Sequence, residues 1–516
     1  MRLWRSLAAL LLALLFVYPL ARLLLLPLAA GPVALESWLP FFNSTAFALL
    51  TGFIVAPLGA MAAHALETKA GYAKRALELG LWLLFLTPGY VLTTGWLVIF
   101  TYPLLRNGSF GQLFLGPVGL VFLYVLKALP FAVFVARSTF AGASATLREA
   151  ALVLRLPARR RLWLALRLAL PAIAAAFAIA AIETMQEFGI PATLGVTAKI
   201  PILTYAIYER LDTTPTDFAG AAMLCWWLIG SAALLAALQI ATQRRFHAAL
   251  VHGKSRRALP VRPGPAGRLA LAFAAALLWG AGIAGPLLVL ASMALRGPRL
   301  DAEALAAIPR SLGYGVLAGT LALGAALFIH KLQRGRSAWF TVAVQSSLTA
   351  NMAVPGLVLG AGYVVAFNND ILPLYGTALL LVIAYAAGAL PMPARLLGGA
   401  MAQIDAKLDE AARICGLRLH TRLIDIEGAL LIRPGLYAWL LVVAGVMFEL
   451  PVSELLYVPG QMPLGVAIVS ADMMANYGQA AQLALLAMGV LAGLAALLNL
   501  ALRIGGASGL RAGKVT

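Results

Sequence analysis

Long apolar runs separated by short polar or basic connections dominate the chain. A helix needs about 20 mainly apolar residues to cross the hydrocarbon core of a bilayer. Segments near 6–28, 43–63, 81–101, 116–136, 166–187 and 219–242 meet that requirement, and so do segments near 269–293, 311–330, 340–366, 372–394, 431–448 and 478–502. Several hold Pro or Gly, which membrane helices tolerate where neighbours satisfy the freed backbone groups. The first run, Leu7 to Leu28, follows Met1-Arg-Leu-Trp-Arg5 and exceeds the ~7–15 apolar residues of a cleavable signal. It is expected to stay as the first helix. The pattern predicts an all-α, polytopic membrane protein of about 12 transmembrane helices.

Composition strengthens that expectation. Of 516 residues 62% are apolar and 11% charged, with a mean hydropathy of +0.91. Soluble chains carry roughly a quarter charged residues, so lipid must solvate much of this one. The net charge of +19 would suit a phosphate-binding surface, but the basic residues fall in alternating connections, as the positive-inside rule requires. Nucleic acid is therefore excluded as a partner. With the N-terminus inside, about 31 of the 39 Lys and Arg fall on the cytoplasmic side, and both termini are expected there. Cys225 and Cys415 are far apart and form no metal spacing. Nor do His64, His247, His252, His330 and His420, so no metal site is expected.

The halves repeat. Asn43-Ser44 aligns with Arg310-Ser311, Pro88-Gly89 and Gly95 with Pro355-Gly356 and Gly362, Leu129-Pro130 with Leu390-Pro391, and Phe218-Ala219 with Tyr477-Gly478. All lie at a slowly drifting separation of roughly 260–270 residues. The expected organisation is a first six-helix repeat over 1–242, a basic Pro/Gly-rich cytoplasmic linker over 243–268 and a second repeat over 269–516. An even number of spans precedes the linker, so the two repeats share one orientation.

The same spacing joins Glu149-Ala150-Ala151 to Glu410-Ala411-Ala412. Each tripeptide sits on the cytoplasmic side between the fourth and fifth spans of its half. A Glu at the start of a short helix suits the helix dipole, and a turn into the next span would complete a compact docking knob. An ordinary basic loop joining two helices is the plainer reading of one such segment; two at equivalent positions favour docking.

These segments resemble the EAA loops of ATP-binding-cassette importer permeases of the type I fold. The resemblance implies that Glu149, Ala150, Ala151 and Glu410, Ala411, Ala412 form two coupling helices seated on a cytoplasmic ATPase dimer. The family's glycine after EAA is present as Gly416, whereas Arg155 takes that place in the first copy and leaves Pro157 to make the turn. The stretches ETMQEFGIPATLG and PILTYAIYERL are similar to fused ferric-iron importer permeases; thiamine and phosphonate importers have similar permeases. The resemblance further implies a solute-binding protein on the outer face, residence in the bacterial inner membrane and alternating access. No phosphate-binding loop is encoded: Gly253-Lys254-Ser255 lacks the first glycine, its position being held by Ala248. The chain itself is expected to hold no cofactor and no catalytic residue, with ATP and magnesium in the partner.

Ionisable residues at membrane depth are costly and usually face a bundle interior or cavity. Lys127, Glu183, Glu187 and Glu449 are the candidates for the translocation pathway. Lys127 and Glu183 are expected to form an ion pair. Glu187 and Glu449 end the fifth span of each half, at the outer end of the pore, where carboxylate oxygens would suit a hard cation, or would cap helices or bind the external partner. A gradient-driven carrier with parallel six-helix repeats is the alternative. It accounts for the spans and the repeat but not for the paired EAA segments.

Overall fold

The computed structural model describes residues 2–30, 37–68, 71–100, 103–141, 157–247, 264–333, 338–401 and 428–512, with residues 154, 412, 414–417 and 421 between them. Every regular element among the described residues is a helix. The helices used below are α1 (Leu3–Ala29), α2 (Leu39–Leu66), α3 (Gly71–Leu86), α4 (Gly89–Ile99), α5 (Pro117–Ala141), α6 (Ala158–Gln186), α7 (Leu203–Asp212), α8 (Phe218–His247) and α9 (Pro265–Arg296). They continue with α10 (Ala302–Gln333), α11 (Ala338–Ala353), α12 (Gly356–Phe367), α13 (Ala378–Ala389), α14 (Pro391–Met401), α15 (Ala429–Met447), α16 (Pro451–Leu456), α17 (Leu464–Met473) and α18 (Tyr477–Ala512).

The protein is a polytopic all-α membrane protein. Among the described residues, nine helices are long and apolar enough to cross a bilayer, or up to 11 if each of two bent pairs is one span. The difference from the expected twelve has a physical cause. The run near 81–101 is α3 and α4, which meet at 99°, and the run near 372–394 is α13 and α14, which meet at 43°. The run near 340–366 is likewise divided into α11 and α12. Pro88 and Pro355 stand at two of these breaks, each in an extended conformation ahead of the following helix. Proline has no N–H and pushes the residue before it out of the helical region. The arm after each break is buried nearly throughout, from Gly89 to Val98 and from Leu357 to Phe367. That burial lets non-helical backbone persist at membrane depth.

The helices cluster into two compact units. The N-unit comprises Pro27–Gly297 and the short stretch Ala471–Ala481. The C-unit comprises Met1–Leu26, Pro298–Ser470 and Gln482–Thr516. These units do not coincide with the sequence halves, because the first span of each half packs in the unit built by the other. In the C-unit, Tyr363 donates to Leu15 O at 3.0 Å and Tyr18 to Ala366 O at 3.3 Å. In the N-unit, Trp96 donates to Ala281 O at 3.0 Å and Trp279 to Ala76 O at 2.9 Å.

The same contacts recur in each unit. Gly95 lies so close to Pro286 that an added Cβ would stand 2.7 Å from its Cβ, and at Gly362 an added Cβ would stand 3.0 Å from Pro19 O. Both glycines are needed for a crossing span to approach. Each crossing span also carries a π-turn, Ala13–Val17 and Gly280–Ala284, just ahead of that proline, where a missing N–H favours local widening. At the start of the second span of each half, Ser44 Oγ accepts from Leu203 N at 2.8 Å and Ser311 Oγ from Leu464 N at 2.7 Å. The neighbouring residues behave alike: Asn43 donates to Pro201 O at 2.9 Å and Arg310 to Met462 O at 2.9 Å.

Candidate functional site

Lys127, Glu187 and Glu449, three of the four expected pathway residues, lie beside the two proline breaks. In the N-unit, α3 ends at Leu86 and its last carbonyls lose their intrahelical partners at Pro88. Lys127, midway along α5, donates from Nζ to Thr87 O at 2.7 Å and to Phe85 O at 3.4 Å. A cation at a helix C-terminus satisfies both the orphan carbonyls and the helix dipole. The expected Lys127–Glu183 ion pair is therefore corrected: among the described residues the salt bridges involve Arg137 and Arg210, not Lys127. Glu183 and Glu187 act on the ammonium only through space.

Glu187 follows the last residue of α6. Its Oε1 accepts from Gly189 N at 3.0 Å and Ile190 N at 3.4 Å, and its carbonyl accepts from Thr204 Oγ1 at 2.9 Å. Gly89, the first residue of α4, lies against that carboxylate with no room for a Cβ. Glu449 repeats this in the C-unit after α15. Its Oε1 accepts from Val452 N at 2.7 Å and its Oε2 from Ser453 N at 2.9 Å, so it caps α16. Gly356, opening α12, also lies beside the carboxylate, but with room to spare: an added Cβ would stand 3.7 Å from Glu449 Oε1. Both residues thus have the helix-capping geometry.

The units differ at the position equivalent to Lys127. At the repeat spacing that aligns Leu129-Pro130 with Leu390-Pro391, Lys127 corresponds to Gly388. Without a side chain there, the C-unit opens a cavity of about 360 Å³. Gly388, Asn351, Tyr385 and Glu449 line it together with apolar residues of α12, α14 and α15. Asn351 donates to Ala387 O at 3.0 Å, and the Tyr385 hydroxyl lies 2.6 Å from Ser453 Oγ. Asn351 and Tyr385 were not singled out from sequence; each is one polar residue inside an apolar run, and periodicity gives it no mark.

Comparison with known proteins finds similarity to membrane transport components. Residues 56–247 match the family described as the binding-protein-dependent transport system inner membrane component. That stretch, well under half of the chain, is similar to the permease domain of that family. A Sinorhizobium fredii protein named as an ABC transporter permease is 30% identical over 175 residues, covering 32% of this chain and 30% of that protein. A Haemophilus influenzae protein named for a ferric transport system permease is 26% identical over 261 residues, covering 47% of this chain and 41% of that protein. The matched stretches thus span less than half the length of either relative. No solved structure matches the chain significantly.

The first EAA segment, Glu149, Ala150 and Ala151, lies outside the described residues, as do Glu410 and Ala411 of the second. Ala412 is helical and buried. Gly416 has φ +71°, and Leu417 N donates to Ala412 O at 3.0 Å. This left-handed residue with a long reverse hydrogen bond is how a glycine stops a helix. Pro157 stands at the N-cap of α6.

Proposed function

We propose that the chain is the membrane permease of an ATP-binding-cassette importer, taking substrate from a binding protein on the outer face and releasing it to the cytoplasm. The match of residues 56–247 to the permease family carries this reading. In it, both termini are cytoplasmic in a bacterial inner membrane, and a separate ATPase dimer seats on the helices at Glu149-Ala150-Ala151 and Glu410-Ala411-Ala412. ATP and magnesium act in that partner. Closure of the ATPase dimer rocks the membrane body between inward-open and outward-open states, and the glycine stop at Gly416 sets where the second coupling helix ends.

Ferric iron is the leading substrate, supported by the ferric transport name of the Haemophilus influenzae relative; thiamine and phosphonate are the alternatives. Lys127, Glu183, Glu187 and Glu449 border the route in this reading, the two capping carboxylates each retaining lone pairs for a passing cation. The decisive experiment is reconstitution of the chain with an ATPase encoded beside it and a ferric-loaded binding protein. Uptake should require ATP and should fall when Glu149 and Glu410 are both replaced by Ala. Uptake that survives ATP depletion and follows an ion gradient would refute the importer reading.

A further inference from the structure

One buried acid belongs to neither proline break. Asp472, in the last turn of α17, is 7% exposed, and its Oδ1 has no hydrogen-bond partner. It falls in the stretch Ala471–Ala481 that packs with the N-unit, where its carboxylate meets the Thr94 hydroxyl of α4. Thr94 is 1% exposed, and its hydroxyl also lies 2.9 Å from Tyr90 O.

A hydroxyl has one proton to give. Donated to Tyr90 O, it leaves Thr94 facing the carboxylate with lone pairs alone. Donated to Asp472, it still leaves Oδ1 unmatched. Neither arrangement compensates a buried carboxylate, and an unpaired charge in such a place is among the most costly features a fold can hold. Among the described residues, no Lys, Arg or His forms a salt bridge with Asp472. Tyr477 lies within electrostatic reach of both Asp472 and Arg106.

The position along α4 adds a second observation. Glu187 stands at Gly89, the first residue of this helix, and Thr94 lies five residues further on, about 7 Å at 1.5 Å per residue. Two carboxylates therefore border one buried helix, about 7 Å apart along its axis and on faces roughly 140° apart.

The geometry points to a transit site for a hard, oxygen-seeking cation at Asp472 and Thr94, one level along α4 from Glu187. Carboxylate and hydroxyl oxygens suit a divalent or trivalent hard ion. Among the described residues no three His, Cys, Asp or Glu converge there, so the protein supplies too few ligands for a resident metal. Water or the cargo's own ligands complete the shell, and that weak hold is what conduction through successive sites requires. The inference deepens the importer reading, on which it rests for the direction of travel.

The test is a terbium(III) titration of the full chain in phosphatidylcholine nanodiscs, with emission sensitised by Tyr90, Tyr477 and nearby tryptophan. The wild-type chain should show a saturable component. Asp472→Asn should weaken it at least about tenfold, as loss of a ligand or its support does at metal sites, and Thr94→Val should weaken it severalfold. Asp301→Asn, which alters an exposed carboxylate that accepts from Ala304 N at 2.7 Å, should leave it unchanged. Equal affinity in wild type and Asp472→Asn, or no saturable component in wild type, would overturn the site. Should Asp472→Asn fail to fold, Thr94→Val decides, and unchanged affinity overturns the site. Terbium binding that persists while ATP-driven uptake is absent would sink the importer reading and leave the site standing.

Discussion

Replacing Lys127 by Met tests what holds the broken span α3–α4 together. The ammonium donates to Thr87 O and Phe85 O, and each hydrogen bond involving a charged group contributes about 1.5–3 kcal/mol. Methionine fills similar volume and reaches neither carbonyl, so both acceptors are left without their partner at membrane depth. Removing the ammonium also relieves its own desolvation, which offsets part of the loss. The net expectation is a loss of about 2–4 kcal/mol. Reversible unfolding in mixed dodecylmaltoside and SDS micelles reads it directly. Lys331→Met, at an exposed position near the end of α10, is the control and should stay within about 0.5 kcal/mol. A loss under about 1 kcal/mol for Lys127→Met would show that the carbonyls find other partners and that the cation does not secure the break.

Other outcomes follow from equally local features. Ser44→Ala and Ser311→Ala should each cost about 1–2 kcal/mol, since each strands one buried backbone N–H, that of Leu203 or Leu464; unfolding should show the two losses to be alike. Gly388→Met should place a side chain in the cavity; in the importer reading it should cut uptake at least tenfold, while stability shifts by about 1 kcal/mol or less because the nearest obstacle is the flexible end of Leu359. Gly416→Ala forces a residue with a Cβ to φ +71° at about 1–2 kcal/mol. In the importer reading it should lower ATP-dependent uptake while leaving the terbium titration unchanged.

The all-helical membrane class was legible because lipid as solvent imposes composition and run length together, and both are written along the chain. The breaks were less so. Pro88-Gly89 and Pro355-Gly356 stood out as repeat markers, yet both arms of each break are apolar, and a run-length criterion joins them into one span. Lys127 was recognised as anomalous, but its partner was sought among carboxylates. Its actual partners are backbone carbonyls, which exist as acceptors only because the helix ends at Pro88, a fact of backbone geometry. Asp472 went unmarked for a similar reason. It lies in the apolar stretch Val466–Met473 outside the expected spans, and only burial and the missing partner distinguish it. The two EAA segments were the strongest sequence signal, because a tripeptide recurring at the repeat spacing needs no three-dimensional context to be noticed.

The exchange of first spans between units makes the sequence halves poor folding units. Residues 1–242 contain α1 but none of its described partners, since Tyr363, which donates to Leu15, and Ala366, which accepts from Tyr18, both lie beyond that point. The same fragment lacks α9, leaving Trp96 without Ala281 O and Gly95 without Pro286 to pack against. A fragment spanning 27–297 follows the contacts instead: it drops α1, keeps α9 and retains nearly all of the N-unit. In detergent, 27–297 should therefore resist trypsin better and unfold at a higher temperature than 1–242, although both have six candidate span regions. Co-expression of 1–242 with 264–516 should restore the resistance of 1–242, because each fragment then supplies the span that the other unit lacks. If 1–242 proves the more resistant fragment when expressed alone, contacts of the first spans do not govern stability, and the boundaries drawn from the repeat are the physical ones.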